Sequence, residues 1–403
     1  MNKNIKLAVA GAVLALSASA NAGIIIPAGD WTVDIGGNVN TFTTWTKAKV
    51  AGEVLGGVAG AGDAGATATT NNFTTGLLPH FLSVSGSTRQ NDLDVAFTIS
   101  IQPGTSNKAA FGNDSGQNNR QAFVTFGDKS WGSVKVGKDL GLFASDAILS
   151  DMTLLGVGSA AGTAGGNTTL GRIGTGYIYA DWKPQITYTT PNFNGFQATA
   201  GISQGWTLQE IGVTDGTDMS GTKRAGASPA YEGKASYAFN ANGVDGKVWV
   251  SGIAQKIIMT TKTLEDSVAY AGDIGATVNA GGFGLTGYYY AGTAIGTTGQ
   301  FMGGVEAATG NSRESDGGYV QATYALPTKT KVGISWGQSN LDRATGEAAS
   351  SKIKSNEMWT GGIYHPITKH LNLVAEYSRV QSESHLGVEN KNNIGSLGAI
   401  LFF

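Results

Sequence analysis

The sequence predicts an all-β fold and, within that class, a 16-stranded antiparallel transmembrane β-barrel. Three observations lead there. Glycine supplies 61 of 403 residues and charged types only 14%, a composition that works against helices, where each glycine costs about 1 kcal/mol relative to alanine. Runs of alternating apolar and polar residues recur along the chain, about 16 in number and about 9–11 residues long, the length a tilted membrane strand needs. The connections alternate between short turns and longer Gly/Ser/Asn-rich links, as in an up-and-down barrel.

The chain opens MNKNIKLAVAGAVLALSASANA. Lys3 and Lys6 form a positive start, Leu7 to Leu16 an apolar stretch, and Ala20-Asn21-Ala22 a small-x-small cleavage site. This is the pattern of a cleaved signal peptide over 1–22, leaving a barrel over 23–403. Removal of the two lysines takes the formal charge from −2 to −4. The chain has no cysteine, which excludes disulfides and thiolate metal sites even in an exported protein. Beyond the leader no run of apolar residues is long enough for a membrane helix. The near-neutral charge leaves no footprint for nucleic acid.

In order, WTVDIGGNVNTFTTW from Trp31 to Trp45 reads as the first strand, followed by a Gly/Ala loop over about 48–72 and by GLLPHFLSVSG. DLDVAFTISI follows Asn91. NRQAFVTFGDKSWGSVKVGKDL supplies two strands joined at Gly127-Asp128-Lys129-Ser130. A Gly/Ala/Ser segment over 139–170 shows little strand period, and a structureless insert of that length suits a barrel lumen better than a soluble core. Ile186 and Tyr188 then oppose Gln185, Thr187 and Thr189. A turn at Pro191-Asn192-Phe193-Asn194-Gly195 leads to Phe196, Ala198, Ala200 and Ile202 on one face. Hairpins follow around 240–246, 280–282, 327–329 and 366–369, and the chain ends NIGSLGAILFF. An even strand count sets both termini at the short-turn end, the periplasm. Trp31, Trp45, Tyr177, Tyr179, Trp182, Tyr188, Tyr288, Tyr289, Tyr290, Trp359 and Tyr364 lie near strand ends and fit interfacial girdles. A soluble sandwich would have to be very large, and no fixed repeat period supports a solenoid.

Several of these pieces resemble the general bacterial porins of Gram-negative outer membranes. They are RQAFVTFGDKSWGSVKVGKDL from Arg120 to Leu140, GRIGTG from Gly171 to Gly176, ITYTTPNFNGFQATAG from Ile186 to Gly201, and the C-terminal Phe403. The resemblance implies a homotrimer with a water-filled pore in each subunit and a third extracellular loop folded into the barrel. It also implies passage of small hydrophilic solutes without a cofactor, and a lipid bilayer as surroundings. Leu397, Ala399, Leu401 and Phe403 share one face, and a terminal aromatic in that register resembles the signal read by the outer-membrane assembly machinery.

A channel's chemistry is the field across its narrowest section. By the family's pattern, Arg120 and Arg172 match wall arginines and Asp151 an acid on the inward loop. Lys135 faces the lumen by alternation, since Val134 and Val136 take the lipid face; Lys138, Asp139 and Asp146 are neighbouring candidates. The chain departs from its relatives at His80-Phe81-Leu82, where a further wall arginine is common, and at Leu154-Leu155-Gly156-Val157-Gly158, where relatives carry a Pro-Glu-Phe-Gly-Gly tip. A less charged, more apolar constriction is therefore expected, which keeps a substrate-selective channel open. Two other classes stay in view. A barrel enzyme has only Gly201-Ile202-Ser203-Gln204-Gly205, a nucleophile-elbow spelling without the strand-to-helix turn it needs. A surface adhesin would lack conductance. Gly60-Ala61-Gly62-Asp63-Ala64-Gly65 matches a dinucleotide fingerprint by spelling alone, and His80, His365, His370 and His385 have no metal-ligand spacing.

Overall fold

The structure, a computed structural model, describes residues 23–60, 67–105, 117–161, 167–205, 222–223, 228–259, 266–306 and 309–403. The expected signal peptide and most of the 60–65 motif lie outside them. The wall begins with β1 (Ile24–Ala28), β2 (Trp31–Lys49), β3 (Thr67–Thr74), β4 (Phe81–Gln90), β5 (Leu93–Gln102), β6 (Asn118–Asp128) and β7 (Gly132–Leu140). After a long connection come β8 (Trp182–Thr189), β9 (Phe196–Ser203), β10 (Thr222–Lys223), β11 (Ala230–Ala241), β12 (Val244–Met259) and β13 (Ser267–Ala280). The last six are β14 (Phe283–Thr293), β15 (Glu314–Ala325), β16 (Lys331–Leu341), β17 (Ile353–Pro366), β18 (Leu371–Ser384) and β19 (Glu389–Phe402).

Every wall pairing is antiparallel, and β19 closes on β2 from Lys391↔Lys49 to Phe402↔Asn38. The 19 segments fill sixteen positions of the closed barrel. β1 extends the line of β19 along β2, β3 and β4 are halves of one position, and β10 extends β11 along β12. Among the described residues closure leaves no free sheet edge, the condition for strands to cross a bilayer.

The pleat sends alternate side chains to opposite faces, and here the usual sorting is inverted. On β13, Val268, Tyr270 and Ile274 are 54%, 55% and 58% exposed, whereas Asp273 between them is 8% exposed. Exposed aliphatics opposite a polar inner face mark a wall surrounded by lipid. The short turns share one end. Three of them, Asn91-Asp92, Asn242-Gly243 and Gly281-Gly282, hold two consecutive left-handed residues, the geometry that matches strand twist in a two-residue hairpin.

Three readings of the sequence change. The stretch GLLPHFLSVSG is not one strand: β4 starts at Phe81, and 76–80 breaks the position. Asn38 and Asn40 of β2 supply the missing ladder partners, donating to the carbonyls of Pro79 (2.9 Å) and Leu78 (3.0 Å), while Asn40 Oδ1 accepts the Gly76 N–H at 2.9 Å. The long connection runs to residue 181, beyond 170, so GRIGTG belongs to it and not to the wall. The girdle is smaller than expected. Trp45, Tyr188, Tyr289 and Trp359 are exposed, but Tyr177, Tyr288, Tyr290 and Tyr364 are buried.

Candidate functional site

Residues 141–181 connect β7 to β8 and carry α1 (Ser145–Ser150) and a 3-10 turn over Met152–Leu155. Backbone outside regular structure must find other hydrogen-bond partners, and buried side chains of the wall provide them. Glu232 on β11 accepts the N–H groups of Leu142 (2.8 Å) and Phe143 (3.0 Å). Asp273 on β13 accepts from Ala144 N–H (3.1 Å) and Tyr288 hydroxyl (3.1 Å), which holds Ala144 in a left-handed conformation with φ 61°. Gln321 on β15 takes Met152 N–H at 2.7 Å and returns a bond to Ser150 O at 3.1 Å. Ser339 on β16 accepts Gly176 N–H at 3.0 Å. Glu376 on β18 accepts Val157 N–H (2.8 Å), Gly158 N–H (2.9 Å) and Tyr364 hydroxyl (2.6 Å).

Apolar packing completes the seat. Phe143, Ala147, Ile148, Met152, Leu154 and Val157 share one buried cluster with Phe42, Phe81, Tyr319, Val374 and Ile400 of the wall. The tip 154–158 is part of this contact: Leu154 is 5% and Val157 0% exposed. The apolar residues of the tip pack against the wall, with Leu77 N–H bonding Gly156 O at 2.9 Å.

Charged groups fall into two sets. The first is sealed. Lys183 touches Glu232, each side chain 2% exposed, and Ser203 Oγ donates to the same carboxylate at 2.7 Å. Arg172 Nε stands 3.9 Å from Asp151 Oδ1, both side chains 0% exposed, and Arg172 Nη1 donates to Met358 O at 3.1 Å. The second set meets solvent. Lys135 contacts Asp139, with side-chain exposures of 22% and 3%. Asp146, 7% exposed, lies between Lys234 (3.2 Å, 25% exposed) and Lys247 (39% exposed). Burial opposes ionisation of Asp146, but the two ammonium groups outweigh it and hold its carboxyl below the ordinary range.

The predicted residues thus separate. Lys135 pairs with Asp139, and separately Asp146 pairs with Lys234 and Lys247, two lysines outside the predicted set. Asp151 is buried, capping the 3-10 turn through Thr153 N–H (2.9 Å) and accepting from Tyr177 hydroxyl (3.0 Å). Arg172 is not on the wall, since it rides on the long connection and is fully buried. Arg120 shares the strand face of exposed Ala122 and Val124. Its guanidinium bends over the strand end to Asn167 Oδ1 (2.8 Å), with its centre 5.9 Å from the Trp182 ring centroid. Lys138 pairs with Ala122 and Pro184 on that outer face. Phe403 extends the closing ladder, exchanging bonds with Gly37 at 2.8 and 3.0 Å; a Cβ on Gly37 would stand 2.0 Å from Phe81 O, so glycine is required there. Glu232, Lys234, Lys247, Asp273 and Glu376 were missed, although alternation in YEGKASY already faced Glu232 and Lys234 away from Tyr231 and Tyr237.

His80, set where a wall arginine was sought, bonds Thr105 Oγ1 at 2.9 Å. Among the described residues no three acids or histidines converge on a metal-sized site.

A family profile described as Gram-negative porin matches residues 7–385. No curated protein is significantly similar in sequence. Among solved structures, the anion-selective porin from Comamonas acidovorans superposes with a TM-score of 0.60 at 16% identity, covering 93% of this chain and 100% of its own. The outer membrane channel DcaP of Acinetobacter baumannii gives 0.66 at 15% identity, covering 95% and 100%. In-vitro folded OmpT of Vibrio cholerae in its trimer form gives 0.54 at 12%, covering 93% and 99%.

Proposed function

The chain belongs to the Gram-negative porin family, and on that premise we propose how its channel sorts solutes. It is an outer-membrane channel, passing ions and small hydrophilic solutes without energy coupling. Residues 141–181 form the constriction, laid across the lumen and bonded to inner-face groups from β11 to β18. The permeating path runs beside Lys135, Lys234 and Lys247.

The observation that carries this reading is the unequal exposure within the ion pairs. The three lysines are 22%, 25% and 39% exposed, and their acid partners 3% and 7%. A solute in the path meets ammonium groups, while the carboxylates act from behind them. Over a few ångströms such a field is only partly screened at physiological salt. An anion preference follows, in line with the Comamonas acidovorans porin that shares the fold.

Passage through a field of this kind is binding weak enough to release. Three copies per assembly, periplasmic termini, a cleaved leader over 1–22 and recognition of Phe403 by the assembly machinery complete the proposal. The fold of the trimeric OmpT supports the first of these.

The test is planar-bilayer recording of the purified protein under a salt gradient. Lys135→Gln, Lys234→Gln and Lys247→Gln together should move the reversal potential toward cations. An unchanged potential would remove all three from the path. A silent membrane, with folding verified, would favour the adhesin or enzyme readings.

A further inference from the structure

A second segment folds into the barrel beside the long connection. Residues 294–306, between β14 and β15, place Ala294, Ile295, Phe301 and Val305 in the same buried cluster as Phe143 and Tyr177. Tyr179 N–H donates to Thr298 O at 2.8 Å, which ties the segment to the returning end of that connection. Phe301 turns the chain through a left-handed conformation with φ 68°, and Gln300 just before it is 0% exposed.

Gln300 meets the sealed pair of β8 and β11. Its Nε2 donates to Ala180 O at 3.1 Å. A backbone carbonyl only accepts, so this bond fixes which end of the amide is nitrogen, and Oε1 faces Lys183 Nζ at 3.1 Å. Lys183 Nζ also touches Glu232, each side chain 2% exposed. Glu232 is held in place by the N–H groups of Leu142 and Phe143 and by Ser203 Oγ. The lysine stem crosses the start of the long connection at Gly141. A Cβ there would stand 2.7 Å from Lys183 Cε and 2.4 Å from Ala180 O, so the crossing requires glycine. An amine, a carboxamide and a carboxylate thus converge in a place shut off from water.

We propose that Lys183 and Gln300 join in an amide bond between their side chains, formed by the folded chain itself. Lysine, unlike arginine, supplies a nucleophilic amine once it gives up a proton, and Glu232 is placed to take that proton. The amine lone pair attacks Gln300 Cδ, one bond beyond the oxygen it already faces, and the carbonyl π electrons move onto Oε1. Collapse restores the carbonyl and breaks the Cδ–Nε2 bond. Nε2 takes the proton held by Glu232 and leaves as ammonia. Glu232 then relays the surplus proton of the new amide nitrogen to that ammonia, which departs as ammonium. The carboxylate is regenerated, still holding Leu142 and Phe143, and nothing is oxidised or reduced. Exclusion of water keeps the competing hydrolysis of the amide slow. The bond fastens segment 294–306 to the wall at the foot of the constriction.

The experiment is mass spectrometry of the full chain, purified folded from membranes and, in parallel, made as never-folded aggregate, dissolved in urea and then refolded. Proteolysis of the folded protein after denaturation should yield a branched peptide joining Lys183 to Gln300, lighter by one ammonia than its two parts. The never-folded chain should lack the branch and gain it on refolding. Folded Glu232→Gln should form it at least about a hundredfold more slowly. Lys183 and Gln300 recovered only in linear peptides from the folded, unaltered chain overturn the inference without recourse to any variant. A branch from Lys183 to Glu232, with loss of water, overturns Gln300 as the acceptor. A branch already present in the never-folded chain overturns the fold as its cause, and an unchanged rate in folded Glu232→Gln overturns the proton carrier.

Discussion

At the scale of residues, the wall acids do two different jobs. Glu376 holds two backbone N–H groups of the long connection and a tyrosine hydroxyl, so Glu376→Ala orphans three buried donors. Each costs about 1–3 kcal/mol, and the temperature of the heat-induced gel mobility shift should fall; an unchanged temperature would show that the seat is elsewhere. Glu376→Gln keeps an acceptor and should fall less. Asp146 instead balances exposed lysines. Because its folded carboxyl is held below the ordinary range, its contribution is complete above about pH 4 and fades as pH falls further. As pH falls below about 4 the channel should become more anion-preferring, as Lys234 and Lys247 lose their counter-charge. A reversal potential that is flat or moves toward cations would contradict this. Arg120 matches a wall arginine by the resemblance alone, and the pattern of β6 offers no check on it. Phe123 faces inward and Ala122 outward, so both faces of β6 contain apolar residues and alternation alone does not say which one meets water.

At the scale of elements, the break at 76–80 and the connection 141–181 are one device. The position shared by β3 and β4 opens where the tip 154–158 inserts, and Asn38 and Asn40 replace the lost ladder bonds. Asn40→Ala should destabilise by about 1–3 kcal/mol and release amide-exchange protection at Gly76 and Leu77; protection unchanged at both would separate the break from the tip. In the sequence this break read as strand, because Leu77, Leu78 and Phe81 suit a strand as well as they suit a buried plug. The length of the connection was underestimated for a related reason. Tyr177 and Ile178 have strand-like types, yet both are fully buried against other parts of the chain, and propensity does not reveal what packs against them.

At the scale of the whole molecule, everything depends on one seam. Pairs from Lys391↔Lys49 to Phe402↔Asn38, with Phe403 against Gly37, join the last strand to the first. Deleting 400–403 exposes the unpaired groups of Asn38 and Asn40 in lipid, where each unsatisfied backbone group costs several kcal/mol. The refolding yield of heat-shiftable protein should drop by at least about tenfold; a normal yield would mean the seam closes higher up. Long-range pairing of this kind also makes folding slow relative to a helical protein of the same size.

The sequence by itself determined the class, the number of wall positions, the short turns between paired strands and the facing of residues where alternation is clean, as at 185–189 and 196–203. These follow from period, turn chemistry and composition, which are local. Tertiary structure alone decided which charges face open space. Lys183 and Lys234 both lie on inner faces, but one is sealed against Glu232 and the other is open. The difference arises from where a 41-residue connection, 141–181, is bonded around the wall. Its anchors, Glu232, Asp273, Gln321 and Glu376, lie up to 219 residues away in the chain from the groups they hold, and no local pattern carries information across that separation.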